Sequence, residues 1–161
     1  MIRELRQEDR EVFLTMCQKF YQSSAVLHGI PAANMEETFR RIVAGSPYAQ
    51  GYLLTHQGET AGYLLTSTTY SNEVGGLVIW LEELYLEEKF RGLGLGGAAM
   101  EYIRQNCPAD VRRLRLEVTP CNQGAIRLYE RKGYQKLDYI QMVQRPRGDT
   151  GDKVDYKSTR R

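Results

Sequence analysis

The stretch Arg91-Gly92-Leu93-Gly94-Leu95-Gly96-Gly97 decides how this chain is read. Immediately before it, Leu77 to Leu86 is a run of strand formers broken by the acidic pair Glu82-Glu83. From Leu95 within it, the apolar residues Leu95, Ala98, Ala99, Tyr102 and Ile103 fall at helical spacing until Asn106-Cys107-Pro108 stops the run. A glycine-rich turn between a strand and an amphipathic helix leaves N–H groups at a helix amino end, where an anion is favoured. Glycine suits such a turn because a side chain would hold the backbone away from phosphate oxygens, and because positive φ is often required. The segment points to a phosphate-bearing ligand, with a plain tight turn as the alternative. Gly92-x-Gly94-x-x-Gly97 also satisfies the dinucleotide fingerprint, and Glu117 lies 20 residues beyond Gly97 after a further strand. A nicotinamide-dinucleotide-binding oxidoreductase domain is therefore one reading.

Working outward, Ile2 to Arg6 alternates like a strand, and Val12/Phe13, Met16/Cys17 and Phe20/Tyr21 recur at helical spacing. A loop with Gly29 and Pro31 leads to a second amphipathic helix marked by Met35, Phe39, Ile42 and Val43. Tyr52 to Thr55 and Ala61 to Thr66 flank His56 to Thr60 as a hairpin, followed by a polar stretch from Ser67 to Gly76. Such a meander is not what a doubly wound parallel sheet needs. Beyond the glycine loop and its helix, Arg113 to Val118 alternates as a strand, Asn122 can cap a helix running to about Lys132, and Gly133 ends it. Tyr134 to Leu137 and Tyr139 to Val143 are the final strand candidates. Residues 1–145 read as one domain, and 146–161, nearly devoid of apolar side chains, as a flexible polar tail.

The glycine loop also fits Arg-x-x-Gly-x-Gly, and here the chain resembles the GCN5-related N-acetyltransferases (GNAT). Arg91 to Gly96 is similar to their pyrophosphate loop. Glu82-Glu83-Leu84-Tyr85-Leu86 before it, the helix after it, the strand Leu114 to Val118, and Asn122-x-x-Ala125-x-x-x-Tyr129 with Lys132-Gly133-Tyr134 follow in the family's order. The resemblance spans about Ile2 to Val143. It implies an α/β fold with a mixed, largely antiparallel central sheet flanked by helices on both faces. It also implies an opening between Leu77–Leu86 and Leu114–Val118 for acetyl-coenzyme A as cosubstrate, with no metal. Coenzyme-binding candidates are then Leu84, Tyr85, Leu86, Arg91, Gly92, Gly94, Leu95, Gly96, Gly97, Asn122, Ala125 and Tyr129.

Acetyl transfer to an amine needs a proton acceptor for the amine and a proton donor for the leaving thiolate. Glu82 matches the position of the family's catalytic polar group and is the candidate base, with Glu83 in reserve. Strand alternation places Glu82 with Trp80, Leu84 and Leu86, and Glu83 with Tyr85, unless a bulge inverts the parity. Tyr129 is the candidate acid. Cys121 reads as structural, and His28 and His56 as surface residues.

The chain has 161 residues, 42% hydrophobic and 26% charged, enough apolar side chain for one globular domain. Three widely spaced cysteines argue against a disulfide framework or zinc site. A net charge of +2 from 22 basic and 20 acidic residues is too balanced for a phosphodiester-binding surface. No apolar run approaches a bilayer span, and the amino end lacks the order of a secretion signal, so a cytoplasmic location is expected. The expected partner is a small-molecule or peptide amine, with neither nucleic acid nor membrane, and a homodimer is the assembly to look for. A coenzyme A-binding sensor without turnover is the non-enzymatic alternative.

Overall fold

The computed structural model describes residues 1–144. The tail read over 146–161 lies outside the described residues. Strands β1 (Ile2–Glu4), β2 (Ala49–His56), β3 (Glu59–Ser71) and β4 (Gly76–Leu86) form an antiparallel meander, and β5 (Val111–Leu116) joins β4 in parallel. Helices α1 (Arg10–Tyr21) and α2 (Ala32–Val43) follow β1, α3 (Leu95–Asn106) connects β4 to β5, and α4 (Gln123–Arg131) follows β5. This is the mixed, largely antiparallel sheet that the family resemblance implies. The β4-α3-β5 crossover is a genuine parallel unit, which is why a dinucleotide fingerprint fits its glycine turn. The antiparallel strands β1 to β4 are incompatible with the doubly wound sheet that fingerprint belongs to.

Helical periodicity fixes which face of the sheet each helix covers. On one side Phe13, Met16, Cys17 and Phe20 of α1 and Met35 and Phe39 of α2 pack on Leu53, Tyr63, Leu65 and Tyr85. Phe13 meets Tyr63 edge-on, with ring centroids 5.2 Å apart, and both residues are fully buried. On the other side Ala99, Met100 and Ile103 of α3 pack on Leu54, Leu64, Ile79 and Leu81. Arg3 of β1 holds Asp9, just before α1, through two hydrogen bonds of 2.6 and 2.8 Å, which fixes the entry of α1 onto the sheet. Among the described residues no helix is long and apolar enough to cross a membrane.

Three expectations change. The polar stretch from Ser67 extends β3 as far as Ser71, because its threonines suit a pleated surface and pair with β4. The strand expected over Leu114 to Val118 lies at Val111–Leu116. The final candidates, Tyr134 to Leu137 and Tyr139 to Val143, form no strand, and Tyr139, Ile140 and Met142 are exposed. Strand formers become strands only where a neighbour supplies ladder hydrogen bonds, and no strand pairs with this segment among the described residues.

Candidate active site

The site is built around an irregularity in β4. Leu65 of β3 pairs with Glu83, but the next residue, Thr66, pairs with Leu81, so Glu82 is the extra residue of a β-bulge. The bulge inverts the alternation: Ile79 and Leu81 face the α3 side, and so do Leu84 and Leu86, three and five residues beyond Leu81. The expectation that Glu82 shares a face with Trp80, Leu84 and Leu86 is therefore corrected. Trp80 lies by ladder position on the side of Glu83 and Tyr85, and Glu82 leaves the ladder.

At the same point the sheet parts. Pairing between β4 and β5 runs from Leu77↔Val111 to Leu81↔Leu116 and ends there, while the second half of β4, through Leu86, stays on β3. Residues Leu84 to Leu86 thus present one backbone edge to the opening. Glu83 faces the α1 side of that opening. Leu84, Leu86, Leu116, Leu128 and Tyr129 pack on the α3 side.

The glycine loop closes one end. After a 3-10 turn at Glu88–Phe90, Gly92 and Gly94 adopt φ of +77° and +79°, and a Cβ at either would meet no atom within 4 Å. Their requirement for glycine is thus conformational and leaves space above the backbone. Gly94 is the residue before α3, and its carbonyl accepts the first intrahelical bond, from Ala98 N at 3.0 Å. The N–H groups of Leu95, Gly96 and Gly97 are left without intrahelical partners. Gly96 lies 3.3 Å from Leu128 Cδ2 by the position of its missing Cβ, so it also lets α4 approach α3. Arg91 is exposed, and its Nε donates to the Leu86 carbonyl at 3.0 Å, tying the loop to the end of β4. This open, amide-rich cradle beside a free strand edge fits the pyrophosphate and pantetheine arm of a coenzyme A.

The two carboxylates have different surroundings. Glu82 is exposed and accepts a hydrogen bond from Ser67 Oγ. Glu83 is held from three sides: Tyr21 Oη donates to Oε1 at 2.5 Å, Tyr63 Oη to Oε2 at 2.7 Å, and the Cys17 thiol lies 3.8 Å from Oε2. Burial pushes the Cys17 thiol up to about 12, so it stays a protonated donor. Burial also raises the Glu83 carboxyl above its ordinary 4.5, against the lowering pull of the Tyr21 and Tyr63 hydroxyls and the thiol. The unfolded chain ionises this group near pH 4.5 while the folded chain keeps its proton longer, so stability falls as pH rises through that window. Glu83→Gln cannot ionise. Its unfolding midpoint should decline less than that of the wild type as pH rises above 4.5, and superimposable profiles would show that Glu83 is not the group responsible.

On the far side of the opening, Asn122 caps α4 by accepting from Ala125 N at 3.2 Å. One turn beyond Ala125, Tyr129 packs beside Tyr134, with ring centroids 6.2 Å apart. Burial raises the Tyr129 phenol above 10, so it is neutral and a donor at any ordinary pH. The Tyr134 hydroxyl is buried with no hydrogen-bond partner among the described residues. Cys121 is exposed, 3.3 Å from Thr119 Oγ1. Tyr21, Tyr63, Cys17 and Ser67 escape a reading of the sequence alone. They lie 15 to 66 residues from the glutamates they touch, and no local spacing encodes such pairs.

A largely antiparallel sheet, parted beside a glycine-capped helix and covered on both faces, defines the acyl-coenzyme A N-acyltransferase architecture. The model of the acetyltransferase (GNAT) family matches residues 5–134, and the chain belongs to that family. It is 27% identical over 93 residues to the spermine/spermidine N(1)-acetyltransferase of Bacillus subtilis (strain 168), a match covering 53% of this chain and 61% of that relative's length. Among solved structures, a possible acetyltransferase from Clostridium difficile 630 superposes with a TM-score of 0.79 at 16% identity, over 91% of this chain and 97% of the other. The aminoglycoside N-acetyltransferase AAC(6')-Iy, in complex with the bisubstrate analogue CoA-S-monomethyl-acetylneamine, gives 0.75 at 13% identity, over 91% and 97%. At these identities the structural likeness concerns the fold.

Proposed function

We propose that this protein is an acetyl-coenzyme A-dependent N-acetyltransferase that moves the acetyl group directly to a primary amine within a ternary complex, with residues 1–145 as its catalytic domain. The observation that carries this reading is the parting of β4 from β5 beyond Leu81 and Leu116, with the glycine cradle at one end and candidate proton-handling groups on its two sides.

Gly92, Gly94 and the first amides of α3 would hold the pyrophosphate, Leu84 to Leu86 the pantetheine through main-chain groups, and Asn122 and Ala125 would border the arm from α4. Acetyl-coenzyme A supplies the activated thioester when bound. Glu82, exposed on the bulge, takes a proton from the incoming ammonium and leaves a neutral nucleophile. Glu83 is the poorer base despite its raised carboxyl, because both its oxygens already accept hydrogen bonds. Tyr129 donates from the α4 side to the departing sulfur. A phenol above 10 facing a thiolate near 8.5 shares its proton as charge develops and does not release it beforehand.

The test is thermal unfolding with acetyl-coenzyme A, coenzyme A or NADH in large excess, followed by turnover with a panel of amines. Ligand at 100 times its dissociation constant adds about 2.7 kcal/mol, a rise in midpoint of roughly 5 to 10 °C for a chain of this size. A shift with the acetylated coenzyme followed by acetylation of an amine supports the reading. The same shift without turnover favours a sensor, and a shift with NADH alone overturns the proposal. Gly94→Val should weaken coenzyme binding about 10-fold or more, since it forces a β-branched residue to positive φ and crowds the amides. Unchanged affinity in a folded variant would remove the phosphate cradle from this account.

A further inference from the structure

Beside Glu82, on the α1 face and just before the strands part, three neighbouring strands contribute one small patch. Ser67, Trp80 and Arg115 are register partners across β3, β4 and β5, and Ser67 reaches over to Glu82. The Arg115 guanidinium lies over the Trp80 ring, with Cζ 4.3 Å from the centroid, and both residues are half-buried. Among the described residues Arg115 has no carboxylate partner, whereas its neighbour Arg113 pairs with Glu73 at 3.0 Å. Glu82, beside the patch on β4, accepts from Ser67 and, among the described residues, forms no ion pair with Arg115.

A guanidinium lying against an indole is held in orientation while its N–H edges remain available. That is the geometry that receives a planar carboxylate through two hydrogen bonds. With strands about 4.8 Å apart and about 3.3 Å per residue along each, Glu82 and Arg115 are separated by only a few bond lengths of a bound molecule. One end of the patch attracts an ammonium group and the other a carboxylate. A pure polycation would have to pass an uncompensated arginine.

We propose that the acceptor is an amine that also carries a carboxylate several bonds away, with Arg115, steadied by Trp80, as the residue that selects it. This rests on the acetyltransferase reading above and names its substrate class.

The test compares amino acids with their decarboxylated counterparts, lysine against cadaverine and ornithine against putrescine, at saturating acetyl-coenzyme A. The wild type should favour the carboxylate-bearing member about 10-fold in kcat/KM, the difference entering through KM. Arg115→Gln should bring each ratio close to one. Trp80→Leu should narrow it part of the way, because the guanidinium loses its support. Thermal unfolding and coenzyme binding by calorimetry establish that the variants are folded. A wild-type ratio near one, a preference for the diamines, or a ratio that survives Arg115→Gln in a folded variant would overturn the assignment while leaving the enzyme intact. Turnover of no amine at all, with coenzyme bound, would overturn both this assignment and the enzymatic reading beneath it.

Discussion

Tyr129→Phe is expected to lower kcat by roughly 100-fold at saturating substrates, the low end of what a positioned proton donor contributes. The substitution removes one oxygen and little else. Among the described residues the Tyr129 hydroxyl makes no hydrogen bond, while its ring packs against Tyr134 and the side of the sheet covered by α3. Thermal stability should therefore stay within about 0.5 kcal/mol of the wild type, as for a substitution that strands no partner. A lost hydroxyl that matters to chemistry but not to folding separates the two roles open to this tyrosine. If kcat is unchanged, the residue is a packing aromatic and the leaving thiolate takes its proton from solvent. The loss should also depend on the leaving group. A donor thioester with a more acidic thiol needs less help, so the gap between variant and wild type should narrow with it.

The second large effect falls on the bulge. Glu82→Gln should reduce kcat/KM about 100-fold near neutral pH, where an alkyl amine with a pKa near 10 is almost wholly protonated. The loss should shrink steadily as pH rises, because the amine then supplies its own neutral fraction and the missing carboxylate matters less. A pH-independent loss would indicate that Glu82 binds the cationic acceptor and does not accept its proton. The same series on Glu83→Gln distinguishes the carboxylates. A deeper loss there than at Glu82 would reverse the assignment and make the half-buried group, with its three donors, the working base.

These experiments probe a site whose parts were unequally legible. The glycine loop could be read from the chain because its requirements are local: positive φ at Gly92 and Gly94 and free amides at the start of α3 are encoded within seven residues. The dinucleotide alternative arose from that same locality. A fingerprint reports a strand, a turn and a helix, and says nothing of the direction of the strands on the other side. Asn122 as a cap and Tyr129 one turn beyond Ala125 are likewise matters of helical spacing. The face occupied by Glu82 was not legible, because one extra residue opposite the Leu65–Thr66 step shifts every later side chain of β4 and leaves no mark in composition.

Local signals in the chain were enough for the order of the elements from β1 to α4 and for the glycine turn, since periodicity, capping and φ preference act over a turn or two of chain; they overstated the segment beyond Gly133, where strand formers found no partner strand among the described residues. Only packing of the whole chain sets where β5 leaves β4, that Glu82 stands outside the ladder, and that Tyr21, Tyr63 and Cys17 converge on Glu83 from two helical turns of α1 and a neighbouring strand. It also lays Arg115 on Trp80, 35 positions apart in the chain but partners in the sheet. Contacts of that kind follow from strand register and packing, which depend on the whole core closing at once, so no short stretch of the chain could carry them.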